Sequence, residues 1–187
     1  KSQSMKKLFI LIAGLLSFQA YSQITLTQSD FPQAGDSYVV SVMNDLGSFD
    51  FATSGANHSW DFSQMVPQSQ DTVAYISASD MSLQPTYLVA FNNSFTDPEH
   101  DADVANYQYY ESPMPTVTFE DFYAFYKIQS DAYIQVGAGL TINSAPLPVL
   151  FNPTDTIVEL PAAFGNQDTC FSAFSATIPT LGYYSEE

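Results

Sequence analysis

Apolar and polar residues alternate along most of this chain, and the alternation has the two-residue period of half-buried strands. In Asp71-Thr72-Val73-Ala74-Tyr75-Ile76-Ser77 one face carries Thr72, Ala74 and Ile76, and the other Val73 and Tyr75. Ser37-Tyr38-Val39-Val40-Ser41-Val42 is β-branched and aromatic, as strands prefer. The same reading predicts strands over 87–91, 104–110, 132–136, 140–142 and 156–160. Breakers separate them: Gly35-Asp36, Gly55-Ala56-Asn57, Asn92-Asn93, Gly137 with Gly139, and Asn152-Pro153. Short strands at regular spacing, with Gly and Pro between, signal an all-β sandwich or barrel. The segment from Phe119 to Tyr126 fits both a helix and a strand, because short apolar runs are ambiguous in period. Its surroundings favour a strand, with a turn at Glu120-Asp121. The expected fold is a single antiparallel all-β domain, a sandwich or a half-open meander barrel. Its Pro-rich crossing at 146–153 should lie at an edge or corner, because Pro cannot donate to a ladder.

The first twenty-odd residues follow a different pattern. Met5-Lys6-Lys7 is cationic, Leu8 to Leu16 is an apolar run, and Ala20-Tyr21-Ser22 places small residues before a cut at Gln23. This is the three-part pattern of a secretory signal peptide, and the run is short of the roughly 20 apolar residues of a membrane span. Residues 1–22 are therefore read as leader and signal peptide, and 23–187 as a β-rich domain, exported to the extracellular space or outer cell surface. No Cys follows the run, which disfavours a lipid anchor. Lys1-Ser2-Gln3-Ser4 precedes a credible initiator Met5, and the chain stops at Tyr184-Ser185-Glu186-Glu187 without a terminating feature. Both suggest a fragment of a longer protein.

Charge narrows the partners. The chain has 20 acidic residues against 4 lysines, no arginine and a formal net charge of −16. Past residue 22 the only Lys or Arg is Lys127. Nucleic acid is excluded as a partner, since phosphate binding needs Lys and Arg to release counterions. An anionic membrane surface would repel the protein, and no membrane insertion is expected after signal cleavage. The single cysteine, Cys170, leaves an exported domain without an internal disulfide. It reads as a small packed hydrophobe more readily than as a nucleophile.

Candidate chemistry is sparse. Asp97, Glu99, Asp101 and Asp103 crowd one stretch, and flexible oxygen ligands of this kind can hold Ca²⁺. The stretch lacks the order of an EF-hand loop, and a solvated loop explains it as well. No other cofactor is expected. Glu120 and Asp121 are adjacent carboxylates, but neighbours on a strand point to opposite faces, unlike a glycosidase pair. Ser-His-Asp or Cys-His chemistry would need His58 or His100, and no Gly-x-Ser-x-Gly elbow is present. The expectation is that the protein is not an enzyme. Aromatics are plentiful, with 12 Tyr and 15 Phe. Tyr107, Tyr109, Tyr110, Tyr123 and Tyr126 form the natural platform for stacking on sugar rings, while core filling and cross-strand pairing are the ordinary use of such residues. Trp60 reads as a core anchor.

The stretch Ile24-Thr25-Leu26-Thr27-Gln28-Ser29-Asp30-Phe31-Pro32 with Ala34-Gly35-Asp36 resembles the N-terminal region of secreted Bacteroidetes proteins. So do Gly55-Ala56-Asn57-His58-Ser59-Trp60-Asp61-Phe62-Ser63, Pro146-Leu147-Pro148-Val149, Asp155-Thr156-Ile157-Val158-Glu159-Leu160-Pro161 and Phe164-Gly165. Such proteins carry a C-terminal type IX secretion sorting domain, which this chain does not show. The resemblance implies an N-terminal module of a longer surface protein and carries over no functional residue. Three functions remain open: a non-catalytic adhesion or spacer module, a carbohydrate-binding module using exposed tyrosines, and a secreted hydrolase. The corresponding partners are surface polysaccharide or other cell-surface proteins.

Overall fold

The structure is a computed structural model and describes residues 24–43, 61–63, 65–109, 117–178 and 182–186. The signal-peptide, Trp60, His58 and Tyr110 expectations fall outside these residues.

Six strands form one antiparallel meander in which sequence order is also spatial order. They are β2 (Ser37–Val42), β3 (Ser69–Ser77), β4 (Val104–Tyr107), β5 (Phe119–Ile128), β6 (Ala132–Ile142) and β7 (Ala145–Glu159). The short β1 (Thr25–Leu26) pairs with β8 (Ala162–Ala163), and β9 (Phe174–Ile178) forms a hairpin with β10 (Gly182–Glu186). The fold is all-β and antiparallel, as the alternation predicts, and the sheet does not close into a barrel. The ambiguous Phe119–Tyr126 segment is strand. On β7, the last strand of the sheet, Pro146 and Pro148 pair with Thr141 and Gly139 and so stand at the expected edge. Yet 146–153 is not a crossing and Asn152-Pro153 is not a break, because both lie inside the continuous β7.

Two further expectations are corrected. Residues 87–91 belong to a helix, α1 (Pro85–Phe91), not to a strand. Pro85 sits in its first turn, where its missing N–H costs nothing. Tyr87 and Phe91, four residues apart and thus on one face, are both fully buried, while Val89 points to solvent. Gly137 and Gly139 do not break the chain either. They lie inside a single continuous β6, and their lack of a side chain lets α1 lie directly on the sheet. A Cβ on Gly139 would stand 2.9 Å from the Tyr87 ring. One on Gly137 would stand 2.7 Å from Phe91 Cε1 and 2.3 Å from the Val149 carbonyl oxygen.

The sheet therefore has two differently covered faces. On the α1 side, Tyr87 and Phe91 pack with Leu83, Ala105, Phe125 and Val136. Phe91 stacks on Phe125 with centroids 4.0 Å apart, and Tyr87 meets the same ring edge-on at 6.1 Å. On the other side, Val104, Ile128 and Tyr133 are buried beneath Phe31, Tyr75, Tyr126 and Val158. Phe31 arrives there on the 3-10 turn Gln28–Asp30, which Gln28 fastens to the sheet by donating to the Ile128 carbonyl at 3.0 Å.

The β6–β7 hairpin turns on Asn143 and Ser144, both left-handed at φ 48° and 66°. Two left-handed residues in a two-residue loop suit the right-handed twist of the strands. Asn tolerates this conformation and is further held because its Oδ1 accepts from Thr118 N–H at 3.0 Å. Ser144 has no such compensation. Ser144→Gly should therefore raise stability by about 0.5 to 1 kcal/mol, read as a higher urea midpoint at unchanged m-value.

Candidate functional site

The site begins with a bulge. The β5–β6 register slips between Glu120 and Tyr123, and Asp121 within it is left-handed at φ 49°. Bulges re-aim side chains. Here Asp121 Oδ2 accepts a 2.6 Å hydrogen bond from Gln84 Nε2, in the residue that caps α1. The turn predicted at Glu120-Asp121 is thus a bulge, and the two carboxylates do not act as a pair.

Beyond the bulge, one row of tyrosines crosses the α1 side of the sheet. Tyr87 covers Gly139, Gly139 is the cross-strand partner of Tyr123, and Tyr123 is the partner of Tyr107. Exposure rises along the row, from the buried Tyr87 through the half-buried Tyr123 to Tyr107 at 52%. Tyr107 and Tyr123 meet edge to face, with centroids 5.4 Å apart and planes at 74°. Tyr109, at 75% exposure, follows just past the end of β4. Its neighbour Gln108 extends the ladder through Gln108 N–H to Phe122 O at 2.7 Å.

The row is electrostatically negative. Burial pushes the Tyr87 phenol up to about 12, against the pull of its 3.0 Å hydrogen bond with Thr141 and with the help of the Asp121 charge. Burial also raises Tyr123, reinforced by Asp121, Tyr107 and Asp80. Asp80 precedes α1, and its carboxyl is held below the usual range by the Ser82 N–H that it accepts at 2.8 Å. Asp80 is therefore anionic at neutral pH, and its charge and that of Asp121 both bear on the Tyr123 phenol.

The four described tyrosines of the five, Tyr107, Tyr109, Tyr123 and Tyr126, do not share a platform. Tyr107 and Tyr123 come together and Tyr109 lies near them in sequence, but Tyr126 faces the other side of the sheet. There Tyr126 stacks on Tyr133 at 5.1 Å, and Tyr133 stacks on Phe31 at 4.7 Å. Sequence reasoning missed Asp80 and Gln84 as companions of Tyr123. The nearest signal was Glu120-Asp121, whose bulge brings one carboxylate to Gln84.

The acidic loop is placed by its own side chains. Asp97, Glu99, Asp101 and Asp103 do not converge, and among the described residues no three metal-binding side chains gather. The loop is instead fastened to the sheet. Both Asp97 oxygens lie against His100 Nδ1, at 2.8 and 3.0 Å, and His100 Nε2 donates to the Phe151 carbonyl on β7 at 2.8 Å. Asp103 Oδ2 accepts from Ile128 N–H at 2.7 Å, and Lys127 Nζ donates to the Pro98 carbonyl. His100 is buried and both its nitrogens are engaged, so it has no nitrogen free to serve as a base. His100→Phe would strand the Phe151 carbonyl and the Asp97 carboxylate. It should cost about 2 kcal/mol and speed proteolysis of residues 92–103 more than of the strands. Cys170 also departs from expectation. It is exposed, and its Sγ accepts from Thr156 N–H at 3.0 Å.

Fold and site together define an antiparallel meander domain that presents an acidic, tyrosine-lined ledge beside a short helix. No protein-family model, curated protein or solved structure matches the chain. Among the described residues, no helix is long and apolar enough to cross a membrane.

Proposed function

We propose that the chain is an exported, non-catalytic binding module of adhesion type, working as part of a larger surface protein. The observation that carries this reading is the open end of the tyrosine row. Tyr107 and Tyr109 are exposed at and just beyond the end of β4, where large aromatic rings would otherwise be expected to be buried. The leader pattern at residues 5–22 supports export. The commitment of His100, Asp97, Asp103 and Asp121 to structural hydrogen bonds supports binding over hydrolysis.

The test is retention of the purified protein on bacterial and host cell surfaces, with Tyr107→Ala and Tyr109→Ala as controls. Retention that falls at least tenfold in these variants supports the module. A protein held by no surface is a spacer. Carbohydrate binding is the second reading, favoured by the exposed Tyr109 ring. Pull-down on insoluble polysaccharides checks it, and absence of retention removes it.

A further inference from the structure

We propose that the free edge of β2 is a self-association site, where two copies of this chain pair antiparallel, strand to strand, about a two-fold axis at Val39. The interface uses none of the residues of the tyrosine ledge and stands or falls separately from it.

The two edges of the six-stranded sheet differ. β7 carries Pro146, Pro148 and Pro153, and the chain leading into β9 lies along it. Asn152 N–H donates to the Ala173 carbonyl at 2.7 Å, and Thr156 N–H donates to Cys170 Sγ at 3.0 Å. β2 has no such protection. Ser37-Tyr38-Val39-Val40-Ser41-Val42 contains no proline and no charge, pairs with β3 without a register shift, and is exposed along its whole length. Val39 is 68% exposed. An uncharged, β-branched edge of this kind is a template for strand addition.

The backbone sets what that edge offers. Just before β2 the Asp36 carbonyl accepts from Tyr75 N–H at 2.9 Å, and at its end the Val42 carbonyl accepts from Gln68 N–H at 3.0 Å. Backbone groups alternate sides along an antiparallel strand. Tyr38 and Val40 therefore bond to β3, while the N–H and C=O of Ser37, Val39 and Ser41 point to the open side. Among the described residues no strand pairs with them there.

A second copy matches this edge. With the axis at Val39, Val39 meets Val39, Ser37 meets Ser41 and Tyr38 meets Val40 of the other copy. This is the one two-fold register in which the outward residues pair wholly among themselves, each exchanging both backbone bonds. It sets valine on valine, serine on serine and tyrosine on valine, all favourable cross-strand neighbours. Charge selects the same strand. The chain has 20 acidic residues against 4 lysines, so two copies repel over most of their surface. A strand without a carboxylate is where they can meet, and in this register Asp36 falls opposite Val42 and not another acid. A strand of 6 residues buries less than the roughly 1,200 Å² of a lasting interface, so the dimer should be weak and concentration-dependent.

The experiment follows the purified protein by sedimentation equilibrium from about 10 μM to about 1 mM, with amide hydrogen exchange at both ends of the range. A monomer–dimer equilibrium is expected, and raising the salt from about 20 to about 500 mM should tighten it several-fold by screening the like charges. In dilute solution the amides of Tyr38 and Val40 should exchange slowly and those of Ser37, Val39 and Ser41 fast. At high concentration all of them should be slow. Val39→Pro removes an outward N–H that β3 does not use, and Val39→Asp sets two carboxylates face to face. Each should weaken the dimer at least tenfold, whereas Val89→Asp, on the exposed side of α1, should not. Val39→Asp keeps the test valid if the proline disturbs the strand. A monomer at every concentration, a dimer indifferent to both Val39 variants, or growth past the dimer would overturn the proposal. So would outward amides already protected in dilute solution, which would mean that the chain covers this edge itself.

Discussion

Replacing Gly137 with alanine should cost about 3 kcal/mol and shift thermal unfolding down by several degrees, if the protein accumulates at all. The added methyl group would meet the Val149 carbonyl oxygen at 2.3 Å and the Phe91 ring at 2.7 Å. Neither neighbour can yield. The oxygen belongs to the backbone of β7, and Phe91 is fully buried against Phe125. The backbone at Gly137 has no special conformation, so the penalty is one of space alone. At Gly139 the nearest atoms all belong to the Tyr87 ring, at 2.9 Å rather than 2.3 Å, so Gly139→Ala should cost less. The measurement is urea unfolding of both variants. A Gly137→Ala protein as stable as the parent would mean that α1 does not lie on the sheet as described.

Alkali should unfold this protein steeply. Five phenols, those of Tyr75, Tyr87, Tyr123, Tyr126 and Tyr133, are raised above their ordinary value of 10, in every case chiefly by burial. Below pH 10 the folded and unfolded chains both keep these protons, and the raised groups contribute fully to stability. Above it the unfolded chain releases protons that the folded chain retains, so stability falls as pH rises. Tyr87, pushed up to about 12, is worth about 2 kcal/mol across the window from pH 10 to 12, allowing for partial solvent screening. Tyr133 is raised further still, and its contribution is lost at higher pH. Urea midpoints taken from pH 8 to 12 should be flat at first and then drop. Tyr87→Phe should lower the plateau by about 1 kcal/mol, through the lost Thr141 hydrogen bond, and make the decline shallower. A decline of unchanged slope in that variant would show that Tyr87 does not titrate in the window.

Much of the fold was legible in the pattern of side chains. Strand-favouring residues located β2, β3, β4 and β5. β2 is exposed along its whole length and β4 is buried at three consecutive positions, so β-branched and aromatic composition marked them more than a one-sided period. The prolines at 146 and 148 announced an edge for the same reason that they occupy one. Residues 87–91 misled because Tyr-Leu-Val-Ala-Phe is apolar at every position. A run of five without polar gaps has no period to read, and only Pro85 pointed to a helix start. Gly137 and Gly139 misled for a deeper reason. A glycine within a strand looks like a break unless one knows that Tyr87 and Phe91, far away in sequence, rest upon it. The site was legible only in part. Tyr107 and Tyr123 stood out as aromatic, but sorting them from Tyr126 required the register of β4 on β5 and the bulge at Asp121. The acidic loop looked like a cation site because its carboxylates are close in sequence, although two of them are taken by His100 and the Ile128 amide.

The position of Lys127 bears on how the protein meets trypsin-like proteases. Past residue 22, the bond between Lys127 and Ile128 is the only one that a trypsin-like protease recognises. It lies in β5, paired on one side with β6, and its amide hydrogen is held by Asp103 at 2.7 Å. A protease must draw several residues into an extended strand in its own cleft, which this peptide bond cannot supply while the sheet is intact. Digestion by such enzymes should therefore follow the rare global opening of the domain, and a cut at that single bond becomes a direct reporter of how often the whole sheet comes apart.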